Sequence, residues 1–161
     1  MQSYHEWLEW LEKSTWAVAI RQSLWLYPAL EIVHILGIVL LVGAAFLFDL
    51  RLLGFSHHLP VTGLSRHLLP WSQRGLVLII PSGILLFITN AQALGTDPVF
   101  WLKIGLIVLA ALNVFVFHRV IYAPFKRGGA SGELPAAARV CGVVSIVVWI
   151  AVVACGRLLA Y

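Results

Sequence analysis

The segment Leu24–Leu53, LWLYPALEIVHILGIVLLVGAAFLFDLRLL, limits what this chain can become more than any other stretch. It is apolar for about 20 residues, the length a helix needs to cross a bilayer core of ~30 Å. Yet Glu31 and His34 lie inside its first half, and Asp49 and Arg51 close it. Ionisable groups at such depth are costly, so they face a bundle interior or a site. Glu31 and His34 are three residues apart and share one helix face with Tyr27.

The rest of the chain has the same character. Of 161 residues, 61% are hydrophobic and 11% charged, against about 25% charged in soluble domains. The expectation is an all-α integral membrane protein of one domain, a four-helix bundle preceded by an amphipathic helix. The net charge of +4 is carried by single basic residues between apolar spans. Such residues set topology and are no nucleic-acid footprint. The first apolar run follows a polar, tryptophan-rich start, so no cleavable signal peptide is expected. Cys141 and Cys155 would be ~21 Å apart on one helix and could not pair.

Residues 1–23 place Tyr4, Trp7, Leu8, Leu11 and Val18 on one side at helical spacing, with Glu6, Glu9, Glu12 and Lys13 opposite. This pattern suits a helix in the headgroup layer, or extra turns packed on the bundle end. Residues 24–161 carry the spans, expected at about 27–50, 68–94, 99–122 and 136–160. Pro81, Ser82 and Gly83 sit mid-span in the second. A kink is expected there, with neighbours or Ser82 taking up the freed carbonyl. Residues 54–65 and 123–135 read as polar loops, and His57–His58 as a solvated pair. Four spans put both termini on one side. The ends bearing these two loops hold Arg51, Arg66, Arg74, Arg119, Lys126, Arg127 and Arg139; the other ends hold Lys13, Arg21, Lys103 and Arg157. That imbalance favours cytoplasmic loops and periplasmic termini in a bacterial inner membrane.

Depth sorts the polar residues into two layers. The outer layer is Tyr27, Glu31, His34, Lys103 and Arg157. The inner is Asp49, Arg51, His67, Arg74, His118 and Arg119. Histidines on neighbouring spans suit the axial ligation of a haem b, and arginines suit its propionates. In the outer layer three readings stand. Glu31 and Lys103 could form a structural ion pair. His34 could ligate a haem, with Lys103 or Arg157 near the propionates. Glu31 and His34 could bind a metal, although a di-iron bundle needs the E-x-x-H pattern twice. His34 lies ~20 Å or more from His118 and His67 along the helix axes, too far for one iron.

The chain resembles a group of small bacterial four-helix membrane proteins. It is more distantly similar to the CopD-like copper-resistance proteins and the HemJ-type protoporphyrinogen oxidases. The resemblance is carried by His34, Gly43, the run Asp49-Leu50-Arg51-Leu52, Arg66, Arg74, Pro81, Gly83, Trp101-Leu102-Lys103 and Phe117-His118. It implies a b-type haem in the bundle, with His34, Arg51, Lys103 and His118 as functional residues. Asp49 stands where the HemJ-type run has proline, and Glu31 and the N-terminal helix lie outside that pattern. Met1 is the one methionine, so soft Cu(I) ligands are scarce.

The leading expectation is a haem b protein of electron transfer or porphyrin and quinone redox chemistry. His34, His67 and His118 are its candidate ligands, and Arg51, Lys103 and Arg157 its anion partners. Glu31 and Lys103 are the candidate catalytic residues, Glu31 as a proton relay. Its partners would be the lipid bilayer and a quinone or redox protein. The alternatives are copper handling or transport through Glu31, His34 and Lys103, and an accessory subunit of a larger complex or homo-oligomer, packing through Gly142, Ser145, Ala154 and Gly156.

Overall fold

The computed structural model describes residues 2–56, 58–123 and 135–159. The described residues are helical apart from short turns. Helices α1 (Gln2–Glu12) and α2 (Thr15–Gln22) precede α3 (Leu26–Leu52) and α4 (Val61–Thr89). A short α5 (Ala91–Thr96) leads into α6 (Pro98–Val116), which runs on as a π-helical turn, Phe117–Tyr122; α7 is Ala136–Leu158. Four helices are long and apolar enough to cross a membrane: Leu26–Leu52, Gly63–Thr89, Pro98–Tyr122 and Ala136–Leu158. This is a multi-pass, all-α membrane protein. Gln2 and Leu159 lie at one end of the bundle, called here the terminus end, and the α3–α4 connection lies at the other, the loop end.

The first, third and fourth spans fall within two residues of expectation. The second is displaced toward the N-terminus by about seven residues at its start and five at its end. Pro60, with φ −66°, starts it early, and Leu64 N–H already donates to the Pro60 carbonyl. Asn90 leaves helical geometry at φ −137°, ψ 41°, and ends it. Arg66 and His67 therefore lie inside α4. The connection into α6 is short, because Gly95 and Thr96 belong to α5. Asp97 makes the turn, and its carboxylate accepts from Val99 N–H at 2.7 Å. It caps α6 ahead of Pro98 at the first helical position.

The end of α3 is closed by Gly54 at φ +105°. Gly54 N–H donates to the Arg51 carbonyl and Phe55 N–H to the Leu50 carbonyl. This paired arrangement ends helices where a glycine adopts the left-handed region at no steric cost. His57 and residues 124–134, including Lys126 and Arg127, lie outside the described residues.

The N-terminal segment is two helices, broken at Lys13–Ser14, and it packs on the bundle. Ser14 Oγ accepts from Ala17 N–H and starts α2. Leu8 is wholly buried. It rests on Gly95 of α5, where an added Cβ would lie 2.8 Å from Leu8 Cδ2. Tyr4 Oη and Trp101 Nε1 both donate to the Gly95 carbonyl, at 3.0 and 2.9 Å. Glu12 accepts from the backbone and side chain of Gln92 at 2.9 and 3.0 Å. Arg21 donates to the Thr89 carbonyl at 2.8 Å and also to the Glu12 carbonyl. Trp7, Trp10 and Trp16 stay exposed, the position tryptophans favour at a membrane surface.

The tightest interface joins α3 and α4. A Cβ on Gly37 would meet Ile79 Cγ1 at 2.8 Å, and one on Gly75 would meet Leu41 N at 2.7 Å. Small residues let membrane helices approach this closely. Helix α7 packs against both α3 and α6. Among the described residues, no Cα of α4 lies within 8 Å of one in α6. The helices thus follow an arc, α4–α3–α7–α6, with a slot between α4 and α6. Phe87 and Phe100 stack across the slot at the terminus end, centroids 5.2 Å apart. Ser65 Oγ and Tyr122 Oη meet across it at the loop end, 3.2 Å apart.

Candidate functional site

His34 lies half-buried on α3, facing α4 where that helix carries Pro81-Ser82-Gly83. Its Nδ1 is 2.9 Å from Ser82 Oγ. The Ser82 hydroxyl has one proton, and it donates this back to the Leu78 carbonyl at 2.5 Å, with the Ile79 carbonyl at 3.3 Å. Ser82 therefore accepts from His34, and Nδ1 carries the hydrogen. In the neutral ring Nε2 is left with its lone pair, the arrangement that orients a ligating imidazole. Proline at 81 frees the Val77 carbonyl, and Ser82 does not take it up; its hydroxyl serves Leu78, Ile79 and His34 instead. Gly83 gives the ring room, since a Cβ there would lie 3.1 Å from His34 Cε1.

Lys103, one turn into α6, reaches toward the same level. Its charge acts on the His34 ring. Its Nζ lies against Gly156 of α7, 3.6 Å from where a Cβ would stand. No carboxylate among the described residues is within 4.0 Å of it. The structural pair between Glu31 and Lys103 does not form. Glu31 is exposed on the flank of α3, with its charge felt by Tyr27, which bonds toward Asn90. Arg157 follows Gly156 and is exposed on α7. The terminus-end layer thus divides: His34, Ser82 and Lys103 come together, while Glu31 turns outward.

At the loop end the expected histidine pair does not face inward. His118 lines a cavity, but His67 is exposed on α4 and is not part of its wall. The reason is the helical register, since Ser65, Leu68, Leu69 and Ser72 take the inward face. Arg51 Nε donates to the Leu59 carbonyl at 2.7 Å, tying down the α3–α4 turn. Arg74 stacks over Trp71, 4.7 Å from the ring centroid, and Arg119 lies over Phe115. Asp49, by contrast, is buried.

His34 and His118 sit at opposite levels. His34 precedes Phe48 and Asp49, which line the His118 cavity, by 14 and 15 residues, or about 20 Å of helix. No three His, Cys, Asp or Glu side chains among the described residues converge to hold a metal ion.

Sequence reasoning placed His34 and Lys103 at one depth but missed Ser82 as the histidine's partner. Its signal was a hydroxyl beside a mid-span proline, at the depth of a histidine on the preceding span.

No curated protein and no solved structure matches this chain. Residues 7–161 match a family described only as being of unknown function. The chain, over all but its first six residues, belongs to that family, DUF6644.

Proposed function

We propose that this protein is a haem b-binding membrane protein of redox function, with His34 as the protein ligand to the iron. The observation that carries the reading is the His34–Ser82–Lys103 arrangement. An imidazole with its Nδ1 hydrogen committed stands beside an ammonium that no described carboxylate neutralises. A ligand that satisfies both must offer a metal to Nε2 and an anion to Lys103. An iron porphyrin with carboxylate side chains offers both. It also brings four nitrogen ligands of its own, so one imidazole suffices where a bare ion would need a cluster. A flat ring system would enter from the bilayer between α4 and α6, whose backbones make no direct contact among the described residues.

The bound group would supply one-electron chemistry. The chain's own residues orient and neutralise. Ser82 holds the His34 ring, Gly83 keeps its face clear, and Lys103 pairs with a carboxylate. His118, about 20 Å along the bundle, would not hold the same group. Electrons would pass to a quinone or a partner protein reaching the site through the bilayer or at the terminus end. The basic loop end faces the cytoplasm in this reading, with the termini periplasmic in a bacterial inner membrane. The test is an absorption spectrum of detergent-purified protein produced with ample haem, oxidised and then reduced, with iron per chain. A Soret band that shifts on reduction at near-integral iron supports the reading. A colourless, iron-free protein removes it.

A further inference from the structure

The loop-end cavity lies about 20 Å from His34 and needs no haem to explain it. Its volume is about 90 Å³, with walls from α3, α4, α6, the π-helical turn and α7. A buried water needs only ~10–15 Å³ of such space, so several fit. Asp49 is 6% exposed. Ser145 hydrogen-bonds its carboxylate, yet Oδ2 is buried with no hydrogen-bond partner. An unpaired carboxylate oxygen in a membrane interior is costly unless something occupies it.

The other polar groups of the wall are a mixture of acceptors and groups that both donate and accept. Asn113 Nδ2 donates to the Cys141 carbonyl at 3.0 Å, which turns its Oδ1 the other way. Ser65 and Ser72 add hydroxyls, and His118 an imidazole. His118 stands in the π-helical turn Phe117–Tyr122. Such turns are rare and are frequent at functional sites. Here the ring nitrogens of His118 bond to no other described residue; its contacts are the Phe117 and Tyr122 rings.

On the terminus side of the cavity lie the Gly37–Gly75 approach with Leu41, and the apolar cluster Ala110, Val148 and Val152. At the loop end its limit is the Ser65–Tyr122 hydrogen bond. The titratable groups facing Asp49 are few. They are His118 on the π-helical turn, Tyr122 at the mouth and Cys141 on α7; α4 presents only Ser65 and Ser72.

We infer that this cavity is a proton-binding site that exchanges with the loop end. Asp49 Oδ2 takes the proton, and His118 and cavity water exchange it with the aqueous phase past Ser65 and Tyr122. Uptake converts a hydronium ion and a carboxylate into water and a carboxylic acid, with no redox change. The site stands apart from the haem reading, since its titration should persist in protein that binds no haem.

The experiment is an infrared pH titration of the full chain in liposomes, in H2O and in D2O. The expected result is a carboxylic-acid C=O band that grows on acidification, shifts in D2O and is absent in Asp49→Asn. His118→Gln should move its midpoint. Ser145→Ala, which keeps the acid, should shift the band frequency and covers the case in which Asp49→Asn fails to fold. The inference is overturned if no Asp49-dependent band titrates between about pH 4 and about pH 9. It is also overturned if added sodium chloride, against choline chloride, lowers the midpoint, which assigns the cavity to an alkali ion. A pH jump on the loop side alone should titrate the band, and a response from the terminus side alone would overturn the loop-end exchange.

Discussion

The two polar levels of this bundle are built on different plans. At the terminus end the side chains are committed: His34 is held by Ser82, which is held by its own helix. What is missing is an anion for Lys103. At the loop end there is room, and the side chains are uncommitted: Asp49 has a bare oxygen and His118 no hydrogen-bond partner among the described residues. Pre-set groups suit a resident that must be gripped in one geometry. Loosely held polar groups around a void suit something small that comes and goes.

The sharpest way to break this contrast is to exchange the histidines. His34→Ala should abolish the Soret band and the iron, whereas His118→Ala should leave both in place. Loss in both variants would place one ligand from each level on the same iron and undo the depth argument. Ser82→Ala tests whether the grip matters. Removing a ligand's hydrogen-bond partner should weaken haem binding by roughly 10- to 100-fold, read by titrating haem into the protein stripped of it. Lys103→Met should cost less, about tenfold or ~1.4 kcal/mol, and Lys103→Arg should restore most of it. Gly75→Ala probes the packing between the levels. Its methyl would meet Leu41 N at 2.7 Å, and such overpacking costs ~1–3 kcal/mol. Its thermal unfolding midpoint in detergent should fall, while that of Gly43→Ala, where a Cβ meets nothing within 4 Å, should stay put.

The spans were legible because a bilayer demands long apolar runs, and it makes that demand residue by residue. The depth of His34 and Lys103 followed from counting along those runs. Rotation did not follow. Glu31 and His34 share a face at three-residue spacing, yet one turns to the flank and the other to Ser82. The separation of His67 from His118 has the same origin. The inward stripe of α4 runs through Ser65, Leu68 and Ser72, and only the packing of α4 on α3 selects it. The π-helical turn was also hidden, because FHRVIY carries no composition that distinguishes it from an α-helical turn. Ser145 read as a small packing residue. Its role as partner to Asp49 depends on α7 crossing α3 where Gly142 lets the backbones meet, with a Cβ there 3.3 Å from the Asp49 carbonyl oxygen. The N-terminal helix was legible as amphipathic, but its apolar side chose the bundle, because Leu8 finds the bare backbone of Gly95.

That docking has a consequence for how the protein is made. Tyr4, Leu8, Glu12 and Arg21 take their partners between Thr89 and Gly95, on the far side of two spans. Chains emerge N-terminus first, at roughly 5–20 residues per second. The first 22 residues therefore wait several seconds, tryptophans at the membrane surface, until the second span has crossed. Their binding sites do not exist before then. A segment synthesised earlier is thus placed after later ones, and α1 and α2 act as a clasp that closes only on a correctly inserted hairpin.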